Sequence, residues 1–161
     1  MRLVTVDEEL LKAFSVDDQV LYKSSRPCVL LVELLYKGKQ QTFAVPLRSN
    51  IPHSVPKDQF FALPTRKTTR KGNRHGIHYI KMIPVDWTYT YKIRSFDKRY
   101  SYQTRSIIDK NEERIIAECQ SYLTAYEKGL RPNYCTDIDL LLERLKEFQA
   151  EKNKAEELTT V

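Results

Sequence analysis

Apolar residues follow an extended pattern early in the chain and a helical pattern late in it. The apolar run at residues 28–35 is too short to span a membrane and suits a buried strand. A turn at residues 37–39, with Gly38 free to take positive φ, leads to aromatic and β-branched residues at 41–45, so the two runs predict a β-hairpin. Pro46 lacks a backbone donor, so the second strand is expected to end or become an edge there, and residues 47–50 to leave the sheet as a polar turn.

The other extended patterns are shorter. Residues 2–6 predict a first strand, and residues 59–62, which lie between prolines, predict a short strand or a helical turn. Residues 76–83 and 85–93 predict two more strands on either side of Pro84. The first part of the chain is therefore expected to be rich in β-structure.

Helical stripes dominate the end of the chain, with one shorter helix near the start. Thr5 or Asp7 can cap that first helix, whose apolar face holds Leu10, Leu11 and Phe14. The later helical patterns cover about residues 97–108, residues 115–126 and the segment that follows a capping sequence at 136–139.

Length and composition limit the class of protein. The 161 residues, 41% of them hydrophobic, fit one domain over residues 1–150, followed by a charged tail at 151–161 that lacks an apolar stripe and is expected to fray. No apolar run approaches the roughly 20 residues that cross a bilayer, and acids at positions 7–9 interrupt any signal peptide, so we expect a cytoplasmic protein with no membrane partner. The three cysteines show no Cys-x-x-Cys spacing, which indicates buried thiols rather than a zinc site.

Charge is divided unevenly along the chain. Residues 20–105 hold 17 Lys or Arg against 4 Asp or Glu, whereas residues 111–161 hold 7 against 11. Such a contrast can serve solubility, but within one domain it favours a polyanionic partner, and nucleic acid is the commonest polyanion in the cytoplasm.

Two stretches of the basic part could contact nucleic acid. Residues 66–75 carry five cations and no acid, and Trp87, Tyr89 and Tyr91 alternate on a predicted strand just before further cations. A solvated loop and a half-buried sheet surface would show the same patterns, but they also suit a phosphate backbone and stacked bases. The candidate RNA contacts are Lys23, Lys57, Arg66, Lys67, Arg70, Lys71, Arg74, Tyr89, Lys92 and Arg94.

A set of short motifs resembles one family of bacterial toxins. Tyr22-x-x-x-Arg26 precedes the apolar strand, the hairpin closes in Phe-Ala-Val-Pro-Leu-Arg-Ser at 43–49, and His-Tyr-Ile-Lys-Met-Ile-Pro-Val follows at 78–85. Together with the order of elements and the sequence at 133–141, these motifs resemble the ToxN/AbiQ toxins of type III toxin–antitoxin systems. The basic, proline-spaced insert after Ser49 suggests the CptN or TenpN branch.

The resemblance implies a fold, an activity and a partner. The fold is α+β: a compact, twisted antiparallel sheet, a partial barrel similar to the Kid/MazF toxins, flanked by several helices. The activity is metal-independent endonucleolytic cleavage of mRNA and of the toxin's own antitoxin RNA precursor, without a cofactor. The partner is a structured small antitoxin RNA, processed from repeats, in a closed protein–RNA hetero-oligomer, and no DNA partner is implied.

The resemblance also suggests site residues. Ser49 matches the serine of the family's Leu-Thr-Ser turn, Arg26 falls where the family carries a lysine, and Tyr22 matches a tyrosine four positions earlier. Arg48 replaces a threonine. The chain departs from the family where Ile51 stands in place of a lysine and where Leu10 aligns with a tyrosine of the first helix.

The residues themselves also suggest chemistry. Because the start of one hairpin strand lies beside the end of the other, residues 22–26 should approach Arg48 and Ser49. Metal-free RNA cleavage uses the neighbouring 2′-hydroxyl and needs a proton acceptor, cations at the phosphate and a donor to the leaving oxygen. Arg26 and Arg48 suit the phosphate, and Ser49 could orient it or relay the proton.

Histidine is the natural acid or base for such a reaction because it titrates near working pH. His53 lies closest in sequence to Ser49 and is the first candidate, with His75 and His78 as rivals. Two other functions stay open: a non-catalytic RNA-binding regulator, and a DNA-binding protein, which is disfavoured because no helix combines cations with a helix-turn-helix pattern.

Overall fold

The structure is a computed structural model that describes residues 1–93 and 98–160. It has the predicted α+β class, with an open antiparallel sheet and four helices in the described part. The strands are β1 (Arg2–Val6), β2 (Cys28–Tyr36), β3 (Lys39–Ile51), β4 (Phe60–Leu63), β5 (Arg74–His78), β6 (Ile83–Pro84) and β7 (Thr90–Lys92). The helices are α1 (Glu8–Ala13), α2 (Lys98–Lys110), α3 (Glu112–Glu127) and α4 (Ile138–Thr159).

The sheet is built around the predicted hairpin of β2 and β3. Its strands follow the order β4-β5-β3-β2-β1-β7, and the short β6 also pairs with β3. Every pair is antiparallel. The end of β3 therefore lies between β5 on one side and the start of β2 on the other, whereas β7 lies at the opposite edge of the sheet.

Both faces of the sheet are covered, which explains the continuous apolar run of β2. Val29 and Leu31 belong to one core, together with Ile115 and other residues of α3. Cys28 and Leu30 belong to a second core on the other face, formed with α1 and α4. A strand that is buried on both faces needs apolar residues at successive positions rather than alternate ones.

The predicted break at Pro46 is wrong, because β3 continues through it to Ile51. The backbone N–H of Leu47 donates to the carbonyl of Pro27 at 2.8 Å, so in the alternating antiparallel pattern the nitrogen of Pro46 faces away from β2. On that side β3 changes partner from β6 to β5, and the two are joined by a 3₁₀ turn at Tyr79–Lys81. Pro46 lies opposite this interruption, where no ladder bond is lost.

The two long strands predicted at 76–83 and 85–93 are each interrupted. The first divides into β5, the 3₁₀ turn Tyr79–Lys81 and β6. The second holds a 3₁₀ turn at Trp87–Tyr89, where the Asp86 carboxylate accepts the N–H of Thr88, before β7 begins. A side chain that competes for backbone donors in this way is a local reason for the chain to leave the extended pattern.

The helices follow the predicted stripes, and the predicted caps are present. The Asp7 carboxylate accepts the N–H groups of Glu9 and Leu10 at the start of α1, and Asp137 accepts that of Leu140 in α4. The helix α4 continues through the predicted frayed tail to Thr159, because Ala, Glu and Lys are strong helix formers even without an apolar stripe. None of the helices described here is long and apolar enough to cross a membrane.

Candidate functional site

A cleft of about 490 Å³ opens where the end of β3 meets the segment that precedes β2. The side chains of its walls include Lys23, Arg26, Arg48, Ser49, Arg66 and His75. The predicted approach of residues 22–26 to the end of β3 is thus confirmed for Lys23 and Arg26. No acidic residue contributes to the described lining, so the cleft is strongly cationic.

A β-bulge exposes the polar groups at the end of β3. Arg48 pairs with Gly76 of β5, but the next pair joins Ile51 to Arg74, so β3 carries one extra residue here. Ser49 and Asn50 therefore lie outside the regular ladder, and the Ser49 hydroxyl makes no hydrogen bond to another described residue. Bulges of this kind redirect side chains and are frequent beside active sites.

Arg26 and Arg48 occupy the cleft as half-buried cations without a carboxylate. Arg26 donates from Nη1 to the carbonyl of Leu47 at 3.3 Å, and its Nε is buried without a partner. Neither guanidinium pairs with an acid in the described part of the chain. Burial lowers the pKa of both arginines, and the charge of Arg48 further lowers the pKa of Arg26. Two like charges held in this way favour an anion between them.

The basic loop between β4 and β5 is tied to the cleft by Asn50. The Asn50 amide donates to the carbonyl of Thr68 at 2.9 Å and accepts the N–H of Arg70 at 2.7 Å. The loop therefore folds back against the residue that follows Ser49. Its predicted RNA contacts Lys67, Arg70 and Lys71 are exposed, while Arg66 reaches the cleft itself.

The three histidines lie in different environments. His53 is exposed and is not among the cleft residues, whereas His75 lines the cleft and donates from Nδ1 to the carbonyl of Pro64 at 2.8 Å. Burial and the charge of Arg66 lower the pKa of His75, so its ring is neutral at pH 7. His78 is buried and is not among the cleft residues, and burial together with the charge of Arg48 lowers its pKa to about 3.

Three other predicted site residues lie away from the cleft. The Tyr22 hydroxyl donates to the carbonyl of Asp17, and its ring borders a separate depression beside α1. Arg74 turns its guanidinium inward over the ring of Phe60 and donates to three carbonyl groups, that of Val55 at 2.6 Å among them, so it is not one of the exposed cations. Lys57 is exposed beside a different depression.

The strand predicted to carry Trp87, Tyr89 and Tyr91 as alternating residues is not formed. Trp87 and Tyr89 lie on the 3₁₀ turn rather than on a strand with Tyr91, and the Tyr89 ring packs edge-on against Phe148 with 5.1 Å between centroids. Lys92 is exposed at the end of β7, on the sheet edge opposite β4 and β5. Arg94, the remaining predicted contact, lies outside the described residues.

Sequence reasoning missed Asn50 and Lys81. Nothing in a linear pattern indicates the bulge that turns Asn50 toward the basic loop. Lys81 is a buried lysine that donates to Gln19 Oε1 at 2.9 Å and to the carbonyl of Tyr134 at 2.6 Å. A lysine between apolar residues in the His-Tyr-Ile-Lys-Met-Ile sequence at 78–83 was the one available signal of a buried charge. No group of three or more His, Cys, Asp or Glu residues within 1–93 and 98–160 is arranged to hold a metal ion.

Three solved structures have a fold similar to that of this chain. A protein of a bacterial antiviral system that a processed non-coding RNA regulates is 18% identical, with a TM-score of 0.70 over 91% of this chain and 98% of its own. A structure from bacterial type III toxin–antitoxin systems, in which a non-coding RNA pseudoknot selectively inhibits the toxin, is 19% identical, with a TM-score of 0.71 over 92% of this chain and 97% of its own. AbiQ, a lactococcal anti-phage endoribonuclease of the type III system, is 16% identical, with a TM-score of 0.65 over 92% of this chain and 98% of its own.

The chain therefore has the fold of type III toxin–antitoxin toxins, and the resemblance found in its motifs is confirmed at the level of the fold. The sequence matches no protein-family model and no curated protein. The two departures from the family pattern are both buried: Ile51 is in the core beside the bulge, and Leu10 packs under the sheet. The cations that line the cleft beside Ser49 are Lys23, Arg26, Arg48 and Arg66.

Proposed function

We propose that this chain is the toxin of a bacterial type III toxin–antitoxin system, acting as a metal-independent, sequence-specific endoribonuclease. The observation that carries the proposal is the pair of half-buried arginines, Arg26 and Arg48, held without a carboxylate beside the unbonded hydroxyl of Ser49. A phosphodiester is the anion that suits such a cleft, because each guanidinium offers a planar fork of donors to phosphate oxygens. The fold shared with AbiQ, an endoribonuclease, supports the same activity.

Cleavage in this cleft would use the 2′-hydroxyl of the nucleotide before the scissile phosphate. Its oxygen attacks the phosphorus, the bond to the 5′-oxygen of the next nucleotide breaks, and the products carry a 2′,3′-cyclic phosphate and a 5′-hydroxyl. Arg26 and Arg48 stabilise the charge that grows on the phosphate oxygens. Because both are already desolvated, the attraction acts in a medium less polar than water and is stronger for it.

Proton transfer is assigned to the polar groups of the same wall. The hydroxyl of Ser49 orients the phosphate or relays the 2′ proton. His75 is better placed than His53 to accept this proton, because it lines the cleft and His53 does not. Tyr22, on the far side of the segment before β2, contributes to the shape of the loop and not to the chemistry.

The proposed partners follow from the cationic surface and from the fold. Cellular mRNA and the precursor of the antitoxin RNA are the substrates, and the processed, structured antitoxin RNA inhibits by filling the cleft and lying on the basic loop. Exposed Lys67, Arg70 and Lys71 give that loop the charge to hold an RNA backbone. Protein and RNA copies assemble into a closed complex in the cytoplasm, and DNA is not a partner.

The test is to incubate RNA-free protein with a generic mRNA in EDTA and to analyse the fragment ends. We expect 5′-hydroxyl and 2′,3′-cyclic phosphate ends, and their loss in Ser49→Ala. Lys154→Ala is the matched control, because Lys154 is an exposed cation of α4 far along the chain from the cleft, and it should cleave like the parent.

Two results would replace this proposal with another function. RNA that stays intact while the protein binds it in a salt-sensitive manner would indicate a non-catalytic RNA-binding regulator. Competition by duplex DNA as strong as that by RNA would indicate a DNA-binding protein.

A further inference from the structure

Tyr134, on the loop between α3 and α4, combines an exposed side chain with an unusual backbone conformation. Its side chain is 74% exposed, and it makes no hydrogen bond or ring contact with another described residue. Its backbone has φ of 66°, in the left-handed region that side chains with a Cβ rarely adopt. A mostly exposed tyrosine therefore occupies a backbone position that is unfavourable for a residue with a Cβ, and such positions are frequent at functional sites.

The loop that carries Tyr134 is fixed to the sheet and not free to move away. The buried ammonium of Lys81 donates to the Tyr134 carbonyl at 2.6 Å. Two residues on, the Thr136 N–H donates to the carbonyl of Ile80 at 3.0 Å, and its hydroxyl donates to that of Met82. An exposed aromatic ring on a fixed backbone loses little conformational entropy when it binds a flat partner.

Lys81 also connects this loop to the wall of the cleft. Its side chain borders a small enclosed cavity of about 10 Å³ together with Lys23 and Arg26, which both line the cleft as well. The same ammonium donates to Gln19, on the segment that leads to Lys23. Lys81 therefore links the backbone of Tyr134 to a cavity that two residues of the cleft, Lys23 and Arg26, also border. Burial and the charge of Arg48, a third cleft residue, lower the pKa of the same lysine.

We propose that Tyr134 is a base-stacking site for single-stranded RNA that enters the cleft, and that it helps to select the nucleotide beside the bound phosphate. This inference rests on the proposed function. Lys23 and Arg26 attract the RNA backbone to the cleft, and the exposed ring then offers its face to a base that is no longer stacked on its neighbours. A base is a better fit than an apolar protein surface, because Arg131 and Asn133 beside Tyr134 are exposed and polar.

The experiment combines a protein change with an RNA change. Ser49→Ala protein, which should bind without cleaving, is titrated against a short single-stranded RNA and against copies in which one nucleotide at a time is made abasic. We expect Tyr134→Ala to weaken binding of the intact RNA by roughly 5- to 100-fold, the usual range for a stacked base, and Tyr134→Phe to leave it unchanged. With the abasic site at one particular position, Tyr134→Ala should have no further effect.

Two controls separate stacking from a structural role. Tyr134→Gly can adopt the left-handed conformation without strain, so it should unfold at no lower urea concentration than the parent and still lose the affinity. Tyr102 is 81% exposed on α2, and Tyr102→Ala should bind like the parent.

The possible results are distinguishable. If Tyr134→Ala binds intact RNA as the parent does, or if its effect is the same at every abasic position, Tyr134 does not stack on a base. The proposed function is tested separately, by the loss of RNA cleavage in Arg48→Ala. Concentration-dependent association of the free protein that is lost in Tyr134→Ala would show a protein contact instead. If the parent binds no RNA, both the inference and the proposed function are wrong.

Discussion

The cleft at the end of β3 and the edge of the sheet at β7 both carry cations, but their side chains differ in burial and in hydrogen-bond partners. The sequence predicts RNA contacts in both regions. At the β7 edge, the Tyr91 hydroxyl donates to the Asp7 carboxylate at 2.7 Å and the Tyr89 ring packs on Phe148. In the cleft, Arg26 and Arg48 are half-buried and have no carboxylate among the described residues.

The difference shows that the number of cations is a weaker sign of a binding site than their lack of partners. An exposed lysine such as Lys92 is well solvated and screened by salt, so it can attract an RNA backbone but adds little stabilisation at one reacting phosphate. A half-buried arginine has already lost part of its hydration, and an arriving anion compensates for that loss. We therefore expect the chemistry to take place in the cleft, and we expect the β7 edge to be a structural surface.

The largest expected effect follows directly from that contrast. Arg48→Ala should lower the rate of RNA cleavage by roughly 100- to 1,000-fold, the usual cost of removing one donor that stabilises a transition state. Lys92→Ala should leave the rate within about twofold of the parent, because an exposed charge contributes little. The measurement is the initial rate on one mRNA in EDTA, with matched protein concentrations.

Arg48→Lys refines this prediction. It keeps the charge but not the planar fork, so a rate between those of the parent and Arg48→Ala would show that the geometry of the donors matters. Equal losses of cleavage rate in Arg48→Ala and Lys92→Ala would contradict the proposed difference between the cleft and the β7 edge.

The elements that sequence patterns predict well are those that local chemistry determines. The hairpin turn at Gly38, which has φ of 75°, and the Asp7 and Asp137 caps are local features, and all of them are present. The same hairpin geometry predicted that Arg26 would meet Arg48, which is why the centre of the candidate site was predictable.

The features that escaped prediction depend on neighbours distant in sequence. Pro46 is accommodated only because β3 exchanges β6 for β5 at that point. Gly76, opposite Arg48, is required because a Cβ there would lie 2.3 Å from the carbonyl oxygen of Phe61 in β4. The alternating aromatic residues at 87–91 fit the pattern of a strand, but Trp87 and Tyr89 lie on a 3₁₀ turn, and the Tyr89 ring packs against Phe148 of the sequence-distant α4.

The second largest expected effect is a loss of stability in acid, caused by the buried His78 on β5. His78 is 1% exposed, and neither ring nitrogen has a hydrogen-bond partner among the described residues. The cations near it are Arg48 of β3, Arg74 of its own strand and Lys81 of the 3₁₀ turn. Burial and these cations lower its pKa from 6.5 to about 3. Between those values the unfolded chain binds the proton and the folded chain does not, so stability is lost as pH falls below 6.5.

From pH 7 to pH 5, this difference should cost about 2 kcal/mol in the free energy of unfolding. Urea unfolding at the two pH values measures it, and His75, whose pKa is also lowered, adds in the same direction. His78→Leu removes the titrating group, so its free energy of unfolding should depend much less on pH. His53→Ala changes an exposed histidine and should keep the pH dependence of the parent. Equal stability of the parent at both pH values would mean that the His78 ring has a partner in solution.

The smallest effect concerns the exposed cations of the basic loop. If Lys71 contacts an RNA phosphate, Lys71→Ala should lower the slope of log affinity against log salt by about 0.7, because one fewer counterion is released from a single strand. Changing Lys67, Arg70 and Lys71 together should lower the slope by about 2. Lys92→Ala is the matched control, since it removes an equally exposed charge at the β7 edge. Binding of Ser49→Ala protein to one single-stranded RNA across a series of salt concentrations gives all the slopes, and an equal decrease in Lys92→Ala would mean that the RNA contacts the β7 edge as well as the loop.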